Sequence, residues 1–350
     1  MGKWKKRLII TAIISSMTIG LCGCGASARK DSDGKGTIDD GLVIGFSFDT
    51  FVLERWIRDA DIFTSKIKEY DSNATVNVQN ANGDIETQIS QIRYLIDKEV
   101  DVLVIVAIDA ESLGDVLEEA KAAGIPIIAY DRLIKNANVD LYISFDNEKV
   151  GTLMGKYLVD AKLPHKKVFM MAGAIEDNNV SMVDKGFRKV MEDNNIEIVD
   201  CYYTPGWRAD MAADYVDSYY SELKDVDGIM CGNDGIATAV IRKLSEYRLA
   251  DKIKVVGQDA DLEACQRIVE GTQVMTVYKP VEKLASTAAK YAIDLANGKE
   301  INTDNYINDG TYEIPYSCLD IIAVTKENMD EEIIDSGFHM RDDVYLNVKE

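Results

Sequence analysis

The stretch from Val102 to Arg132 reads VLVIVAIDAESLGDVLEEAKAAGIPIIAYDR and contains one complete strand, helix and strand. The apolar runs Val102 to Val106 and Ile125 to Tyr130 have the length and β-branched content of buried strands. Leu113 to Ala123 has helical spacing, and the turn Gly124-Ile125-Pro126 ends that helix directly before the second strand. Such a unit is typical of a parallel sheet with helices on its faces.

The same alternation continues on both sides of this unit. The other predicted strands are Leu42 to Phe48, Thr75 to Gln79, Val168 to Met171, Ile196 to Tyr203, Gly228 to Met230, Lys254 to Gly257 and Val274 to Tyr278. The other predicted helices are Glu54 to Lys68, Ile85 to Lys98, Glu148 to Ala161, Ser181 to Asp193, Met211 to Leu223, Ile236 to Tyr247 and Val281 to Ala296. We therefore predict an α/β fold, and the chain length favours two sheets of four to six strands over one sheet.

The first residues have the composition of an export signal. Basic residues at Lys3 to Arg7 precede an apolar run from Leu8 to Leu21, which is too short to span a bilayer comfortably. The following Leu21-Cys22-Gly23-Cys24 resembles the lipobox of bacterial lipoproteins, in which a cysteine is diacylated and becomes the N-terminus. Cys24 fits better than Cys22, and an ordinary signal peptide cut nearby is the alternative.

We therefore expect a lipoprotein signal peptide over residues 1–23 and a chain held on the outer face of the membrane by lipidated Cys24. Residues 24–41 are rich in Gly, Ser, Asp and Lys and poor in apolar residues, so they should form a flexible tether. The formal net charge of the chain is -21. Such an acidic surface repels nucleic acid and anionic lipid head groups, so neither is expected as a partner.

The cysteines and histidines predict neither disulfides nor a metal site. Cysteines at 201, 231, 265 and 318 show no Cys-x-x-Cys spacing, and a domain of this size needs no disulfides, so buried free thiols are expected. The histidines His165 and His339 are far apart in polar surroundings. We therefore expect no zinc site and no cofactor.

Polar side chains follow five of the predicted strands. In open parallel sheets, ligands bind at the carboxyl ends of strands, where loops enter the next helix. The residues at these ends are Asp49 and Thr50, Asp131 and Arg132, Asp177 with Asn178 and Asn179, Asn233 and Asp234, and Asp259. Each Asp or Asn alone is better explained as a helix cap, but recurrence at most strand ends favours a shared ligand site.

This set of residue types suits a monosaccharide. Sugar hydroxyls both donate and accept hydrogen bonds, so Asp, Asn and Arg are suitable partners at the rim of the ring. The C–H faces of the ring need flat aromatic groups, and Trp56 and Trp207 are the candidates near these loops. Trp56 has the alternative of packing only within its own half of the protein.

Several longer motifs resemble the D-xylose-binding proteins of ABC sugar importers, which belong to the type I periplasmic sugar-binding superfamily. They are Leu53-Glu54-Arg55-Trp56, Ala129-Tyr130-Asp131-Arg132, Tyr142 to Gly151, Asp177-Asn178-Asn179, Gly257-Gln258-Asp259-Ala260-Asp261 and Met275 to Pro280. The resemblance covers about Val43 to Met340. It implies two Rossmann-like lobes with parallel sheets, joined by a three-crossover hinge, that close on a sugar.

The resemblance also implies the roles of individual residues. The residues implied to hydrogen-bond the sugar are Arg55, Asp131, Arg132, Asn179, Asn233, Asp259 and Lys279, with Asn178 as a further contact. Trp56 and Trp207 would sandwich the sugar ring. The sequence departs from the family pattern around Gly173 to Glu176 and at Gly232 and Gly235, and this leaves glucose or another aldose open beside xylose.

Domain boundaries follow from the crossovers that the resemblance places near Ser144 to Asp146, Tyr278 to Pro280 and Asn308 to Gly310. The N-terminal lobe is expected to comprise residues 42–144 and 280–308, and the C-terminal lobe residues 145–279 and 309–345. Lys279 then lies at the hinge, where a cation could link ligand contact to closure.

The resemblance implies delivery of the sugar to an ABC permease by a monomeric binding protein. A sugar sensor that presents its closed form to a membrane histidine kinase is the alternative. An enzyme is not expected, because the sequence has no phosphate-binding glycine loop and no serine or cysteine with a plausible histidine partner. Asp261, which with Asp259 could form an acid pair, is better explained as a cap of the helix that begins at Leu262.

Overall fold

The chain is represented by a computed structural model that describes residues 41–348. The strands are β1 (Val43–Phe48), β2 (Thr75–Asn80), β3 (Val102–Ile105), β4 (Ile127–Tyr130), β5 (Leu141–Phe145), β6 (Lys167–Ala172), β7 (Glu197–Tyr203), β8 (Gly228–Cys231), β9 (Lys254–Gln258), β10 (Met275–Tyr278), β11 (Asn305–Asn308), β12 (Glu313–Leu319) and β13 (Ile322–Val324). The helices are α1 (Glu54–Tyr70), α2 (Ile85–Asp97), α3 (Gly114–Ala122), α4 (Asn147–Asp160), α5 (Asn178–Asp193), α6 (Ala209–Ser218), α7 (Tyr220–Leu223), α8 (Asp234–Glu246), α9 (Leu262–Glu270), α10 (Val281–Ala296) and α11 (Arg341–Val344).

These strands form two sheets, each at the centre of one lobe. The first sheet has the order β11-β12-β5-β4-β3-β1-β2, and the second has the order β13-β10-β9-β8-β6-β7. Neighbouring strands are parallel except for the pairs β11 with β12 and β10 with β13. The predicted α/β class, with two lobes joined by three crossovers, is confirmed, and the first sheet has one strand more than expected.

The unit at Val102 to Arg132 folds as its sequence predicts. Strands β3 and β4 are adjacent and parallel, and Leu103 pairs with Ile127. Every residue of both strands is buried, because helices cover both faces of the sheet. The helix α3 ends just before Gly124, whose φ of 77° is a conformation that glycine adopts without strain.

The chain changes sheet three times. It leaves the first sheet after β5, returns after β10 through α10, which packs on α1, and crosses again between β12 and β13. Strand pairing therefore places the third crossover at residues 320–321, later than expected near Asn308 to Gly310. The region of Asn308 to Gly310 is instead the start of a hairpin turn, in which the Asp309 carboxylate accepts hydrogen bonds from the backbone N–H groups of Thr311 and Tyr312.

Two other features differ from the sequence-based expectations. The four cysteines at 201, 231, 265 and 318 are free, as expected, but only Cys231 and Cys265 are buried, and Cys318 is exposed. The predicted helix Met211 to Leu223 is interrupted at Tyr219.

Within residues 41–348, no helix combines the length and apolar content needed to cross a bilayer. The expected signal peptide and Cys24 lie outside the described residues.

Candidate functional site

A cavity lies between the lobes at the carboxyl ends of the strands. Its wall includes nine of the ten residues that the sequence predicts as sugar contacts, namely Arg55, Trp56, Asp131, Arg132, Asn179, Trp207, Asn233, Asp259 and Lys279. The loops and first helical turns after β1, β4, β6, β8, β9 and β10 contribute most of these side chains. The site thus forms where the alternation of parallel strands and helices predicts a ligand.

Asn178 is the predicted contact that does not line the cavity. It is the first residue of α5, and its side chain is half-buried, whereas the next residue, Asn179, is buried and lines the cavity. Successive residues of a helix point about 100° apart, so the Asn178 side chain points in a different direction from that of Asn179. The predicted sugar contact of Asn178 stays a prediction, for a side chain that lies outside the cavity wall.

Arg55 is held by carboxylates from two directions. Its Nη2 atom lies 2.8 Å from Asp131 Oδ2 and 3.4 Å from Asp59 Oδ1. Asp59 also accepts a hydrogen bond from the Tyr130 hydroxyl. Burial raises the pKa of Asp59 to about 6, although Arg55 and the Tyr130 hydroxyl both favour its charged form. The Arg55 guanidinium is thereby fixed before any ligand contributes.

Arg132 is held in a similar way by two other carboxylates. Its Nη1 atom lies 2.8 Å from Asp49 Oδ2, and its Nε atom lies 2.7 Å from Asp177 Oδ2. Burial raises the pKa of both Asp49 and Asp177, and Arg132 opposes that effect. Asp49 belongs to the first lobe and Asp177 to the second, so Arg132 also joins the two lobes.

Asp131 has a strained backbone that its surroundings stabilise. Its φ is 64°, which is uncommon for a residue with a Cβ atom. Its carbonyl oxygen accepts hydrogen bonds from the Ser144 hydroxyl at 2.6 Å, the Asn179 amide at 3.0 Å and the Tyr142 hydroxyl at 3.1 Å. Burial would raise the pKa of Asp131, but the nearby cations Arg55, Lys279 and Arg132 outweigh it, and the pKa is lowered. Asp131 is therefore an ionised hydrogen-bond acceptor in the cavity wall.

The opposite wall belongs to the second lobe and the hinge. Asp259 Oδ1 lies 2.7 Å from Lys279 Nζ and 3.9 Å from Arg55 Nη1. Asn233 is the N-cap of α8, and its side-chain oxygen accepts a hydrogen bond from the backbone N–H of Ile236. Asn233 is thus a helix cap and a cavity residue at once, so the two explanations weighed from the sequence both apply.

The two tryptophans line the cavity from different lobes. Trp56 lies in the first turn of α1, and its ring is within 4.2 Å of the Arg55 guanidinium carbon and 5.6 Å of that of Arg132. Trp207 ends the short 3-10 turn Pro205–Trp207 with a φ of 59°. A Cβ atom added to Gly173 would lie 2.2 Å from the Trp207 ring, so the indole needs a glycine there.

Several buried polar atoms of the cavity wall have no hydrogen-bond partner within the described residues. They are Arg55 Nε, Trp56 Nε1, Trp207 Nε1 and Gln258 Oε1. An unpaired buried polar group costs about 1–3 kcal/mol, so such atoms are rare in proteins unless a ligand or water satisfies them. Three donors and one acceptor around an enclosed space suit a molecule that carries several hydroxyl groups.

The structure adds cavity residues that the sequence analysis did not assign as contacts. Asp177, Gln258 and Asn147 line the cavity as well. Gln258 directly precedes Asp259 at the end of β9, and Asp177 is the N-cap of α5, where its side chain accepts from the backbone N–H of Asn179. The rule that ligands lie at strand ends already singled out Asp177 in the sequence and could have found Gln258 as well.

Direct contacts between the lobes surround the cavity. Besides the Arg132–Asp177 ion pair, the Asn179 amide donates to Asp131 Oδ1 at 3.1 Å. At the rim, the backbone N–H of Ala110 donates to the carbonyl oxygen of Glu176 at 3.1 Å. The two walls are therefore joined by protein atoms on more than one side. Among residues 41–348, no group of three or more His, Cys, Asp or Glu side chains could hold a metal ion.

Comparison with known proteins identifies relatives with this architecture. The model of the periplasmic binding protein domain matches residues 44–300. The D-xylose-binding periplasmic protein of Haemophilus influenzae is 43% identical over 309 residues, which are 87% of this chain and 92% of that protein. The D-xylose-binding periplasmic protein of Escherichia coli is 42% identical over 301 residues, which are 85% of this chain and 90% of that protein.

Solved structures show the same fold. A carbohydrate transporter solute-binding protein from Chloroflexus aurantiacus, in complex with D-glucose, superposes with a TM-score of 0.80 at 26% identity, over 87% of this chain and 98% of that one. An ABC transporter solute-binding protein from Clostridium phytofermentans with bound β-D-glucose superposes with a TM-score of 0.74 at 28% identity, over 86% and 99% of the two chains.

Proposed function

This chain belongs to the periplasmic binding protein family, and from that membership we propose that it is an extracytoplasmic protein that captures a monosaccharide for an ABC importer. It is a binding protein and not an enzyme. One observation carries the proposal most directly: buried ionic groups, two indoles and unpaired polar atoms converge on a single cavity between two lobes.

D-Xylose is the preferred ligand in this proposal. Two relatives named for D-xylose binding are more than 40% identical to this chain, and the identity covers most of its length. Glucose or another aldose is second, because structurally similar proteins contain D-glucose or β-D-glucose. In addition, the sequence departs from the pattern of D-xylose-binding proteins at Gly173, Gly232 and Gly235, which adjoin the contact loops. The charged groups of the wall would discriminate between sugars, since a missing or inverted hydroxyl leaves a buried partner unpaired.

The ligand would act by closing the hinge. Arg55, Trp56, Asp131 and Arg132 belong to the first lobe, whereas Trp207, Asn233 and Asp259 belong to the second. Only a closed form lets one sugar contact both groups, so binding shifts the population toward closure. Lys279 directly follows β10, the last strand before the second crossover, so this predicted sugar contact would lie at the hinge. The closed monomer would then be recognised by a permease.

The test of this function is isothermal titration calorimetry with the soluble chain that begins after Cys24. The ligands are D-xylose, D-glucose, L-arabinose, D-ribose and xylitol. The wild-type protein is compared with the Asp131→Asn variant, which keeps the shape of the side chain but removes its charge. We expect D-xylose to bind most tightly and Asp131→Asn to weaken that binding at least 10-fold. No heat of binding and no thermal stabilisation by any aldose at millimolar concentration would overturn the proposal.

We also propose that Cys24 is lipidated and anchors the protein to the outer face of the membrane. The support is the basic start, the short apolar run and the small residues before the cysteine. Metabolic labelling with palmitate should label the wild-type protein but neither Cys24→Ala nor the double variant Cys22→Ala/Cys24→Ala. Labelling that survives Cys24→Ala and is lost from Cys22→Ala would move the anchor to Cys22.

A further inference from the structure

We propose that Asp234 and Thr276 are positioning residues that hold the turn Asp259-Ala260-Asp261 and thereby fix the Asp259 carboxylate for the ligand. This inference rests on the proposed function, because it concerns how one sugar contact is oriented. Neither residue lines the cavity. Both side chains are fully buried behind the cavity wall, so any effect on binding has to act through other residues.

The turn that carries Asp259 has an unusual backbone. Asp259 has a φ of 98° and Ala260 a φ of 56°, so two consecutive residues with Cβ atoms are in the left-handed region. Each such residue costs on the order of 1–3 kcal/mol and persists only where its surroundings hold it. The turn lies between β9 and α9, directly after Gln258. A specific set of contacts must therefore stabilise it.

Three consecutive backbone N–H groups of the turn are held by the second lobe. That of Asp259 donates to the carbonyl oxygen of Val277 at 2.8 Å. That of Ala260 donates to the Thr276 hydroxyl oxygen at 3.1 Å, and that of Asp261 donates to Asp234 Oδ2 at 3.2 Å. Two of the three acceptors are thus side chains, and they are the two residues of the proposal.

Asp234 and Thr276 are themselves joined. The Thr276 hydroxyl donates to Asp234 Oδ2 at 2.6 Å, and the Gln273 amide donates to Asp234 Oδ1 at 2.8 Å. The Thr276 hydroxyl therefore donates a hydrogen bond to Asp234 and accepts one from the backbone N–H of Ala260, and together these two bonds fix its orientation. A hydroxyl fixed in this way transmits the position of Asp234 to the turn.

The sequence provides space for this arrangement. A Cβ atom on Gly257 would lie 2.2 Å from Asp234 Oδ1, so the carboxylate occupies the volume that any other residue at 257 would fill. Gly257 lies two residues before Asp259 on the same strand end. Burial raises the pKa of Asp234, whereas the hydrogen bonds from Thr276 and Gln273 favour its charged form.

The turn determines where the Asp259 carboxylate points. Its Oδ1 atom lies 2.7 Å from Lys279 Nζ, and Lys279 is three residues after Thr276 in the chain. A relaxed turn would rotate the carboxylate away from Lys279 and from the cavity. Because a misplaced contact group loses binding energy even when it is still present, the supporting residues should affect affinity.

The test compares Thr276→Val, which keeps the shape but removes the hydroxyl, with Thr276→Ser, which keeps the hydroxyl. We expect Thr276→Val to raise the Kd for D-xylose about 10-fold and to speed amide hydrogen exchange at Ala260 and Asp261. Thr276→Ser should stay within about twofold of the wild type in both measurements. Thr152→Val is the matched control, because it also removes a hydroxyl that donates a hydrogen bond, in this case to the Glu148 carbonyl oxygen within α4.

A double-mutant cycle separates positioning from general damage. In an Asp259→Ala background, whose Kd ligand-observed NMR can follow into the millimolar range, Thr276→Val should change the Kd by less than about twofold. An equal loss in both backgrounds, or wild-type exchange and affinity for Thr276→Val, would overturn the proposal. Failure of the wild-type protein to bind any sugar would refute the proposed function alone, because amide exchange at the turn is measured without ligand and still decides the role of the pair.

Discussion

The two tryptophans of the cavity wall differ in what holds them. Trp56 is 2% exposed, contacts Phe48 and belongs to the hydrophobic core of the first lobe. Trp207 is half-buried, lies at the end of a short 3-10 turn with a left-handed φ and rests on Gly173. One indole therefore lies inside the core of its lobe, whereas the other extends from a loop and packs only against the edge of a core cluster.

Substitution of a residue in the cavity wall can therefore lower the free energy of unfolding by a large or a small amount, depending on what holds that residue. A residue that belongs both to the core and to the site should affect stability and binding together. A residue on a loop should affect binding while the fold survives. Variants on the two sides of the cavity test that distinction.

The largest effect is expected for Trp56→Ala. Removal of a buried aromatic side chain should lower the free energy of unfolding by about 3–5 kcal/mol, because the cavity left behind collapses only in part. Chemical denaturation of the ligand-free protein measures this, and Trp56→Phe serves as a partial restoration that keeps an aromatic ring. A loss below about 1 kcal/mol would show that Trp56 is not part of the core.

Asp59 lies on the same helix as Trp56, and its carboxyl group should make the free energy of unfolding depend on pH. Its pKa of about 6 in the folded state is above the ordinary value of 3.8 for an aspartate, so the folded state binds the proton more tightly than the unfolded state. Its contribution to stability is fully present below about pH 4 and is lost as the pH rises through about 6, by about 3 kcal/mol in total.

The measurement is urea denaturation of wild type and Asp59→Asn between pH 4 and pH 7. Relative to Asp59→Asn, the wild-type protein should lose about 3 kcal/mol of its free energy of unfolding as the pH rises across this range. The variant Asp193→Asn, at an exposed carboxylate paired with Lys189, should follow the wild-type pH dependence. An Asp59→Asn curve parallel to that of the wild type would refute the assignment.

On the other side of the cavity, Trp207→Ala should mainly affect binding. The loss of one aromatic face should weaken D-xylose binding by about 2 kcal/mol, or close to 30-fold. The free energy of unfolding should fall by clearly less than in Trp56→Ala, because Trp207 lies partly in solvent. Calorimetry and denaturation of both alanine variants give the comparison directly. Equal stability losses would remove the distinction between the two indoles.

The smallest effect is expected for Gly173→Ala. The new methyl group would overlap the Trp207 ring and push it from its position, so D-xylose binding should weaken about 10-fold. Gly114→Ala is the matched control, because its Cβ atom would meet no neighbour within 4 Å. If Gly173→Ala binds as tightly as Gly114→Ala, the support of Trp207 by Gly173 is not needed for affinity.

The sequence predicted the strands and helices with strong apolar periodicity well. Helix α10 has the predicted bounds, and the buried strands β3 and β4 differ from prediction by a residue or two at their ends. Strands β5, β11, β12 and β13 were not predicted as strands, although every residue of β5 is buried. In β11 most residues are exposed, and in β12 only two of the seven are buried, so neither has the apolar run that reveals a strand.

The site was predictable to the level of its residues but not of their partners. Strand-end position and resemblance together found Arg132, but nothing in the sequence shows that Asp49 and Asp177 would bind it from two lobes. Such pairs depend on how the lobes meet, which is a tertiary property. The choice between Asn178 and Asn179 likewise depends on where α5 begins, and helix ends are the least certain part of any sequence-based prediction.

The Arg132–Asp177 ion pair and the Ala110–Glu176 hydrogen bond join the lobes through protein atoms alone. In the proposed hinge mechanism, part of the free energy of closure would thus be intrinsic to the polypeptide, and the sugar would need to supply only the remaining difference between the open and closed forms. If the protein contacts supply more of the free energy of closure, the apparent affinity for the sugar increases, but so does the fraction of ligand-free molecules in the closed form. Stronger contacts between the lobes would therefore help the protein to bind sugar at low concentration. They would also let more ligand-free molecules compete for any receptor that recognises the closed form.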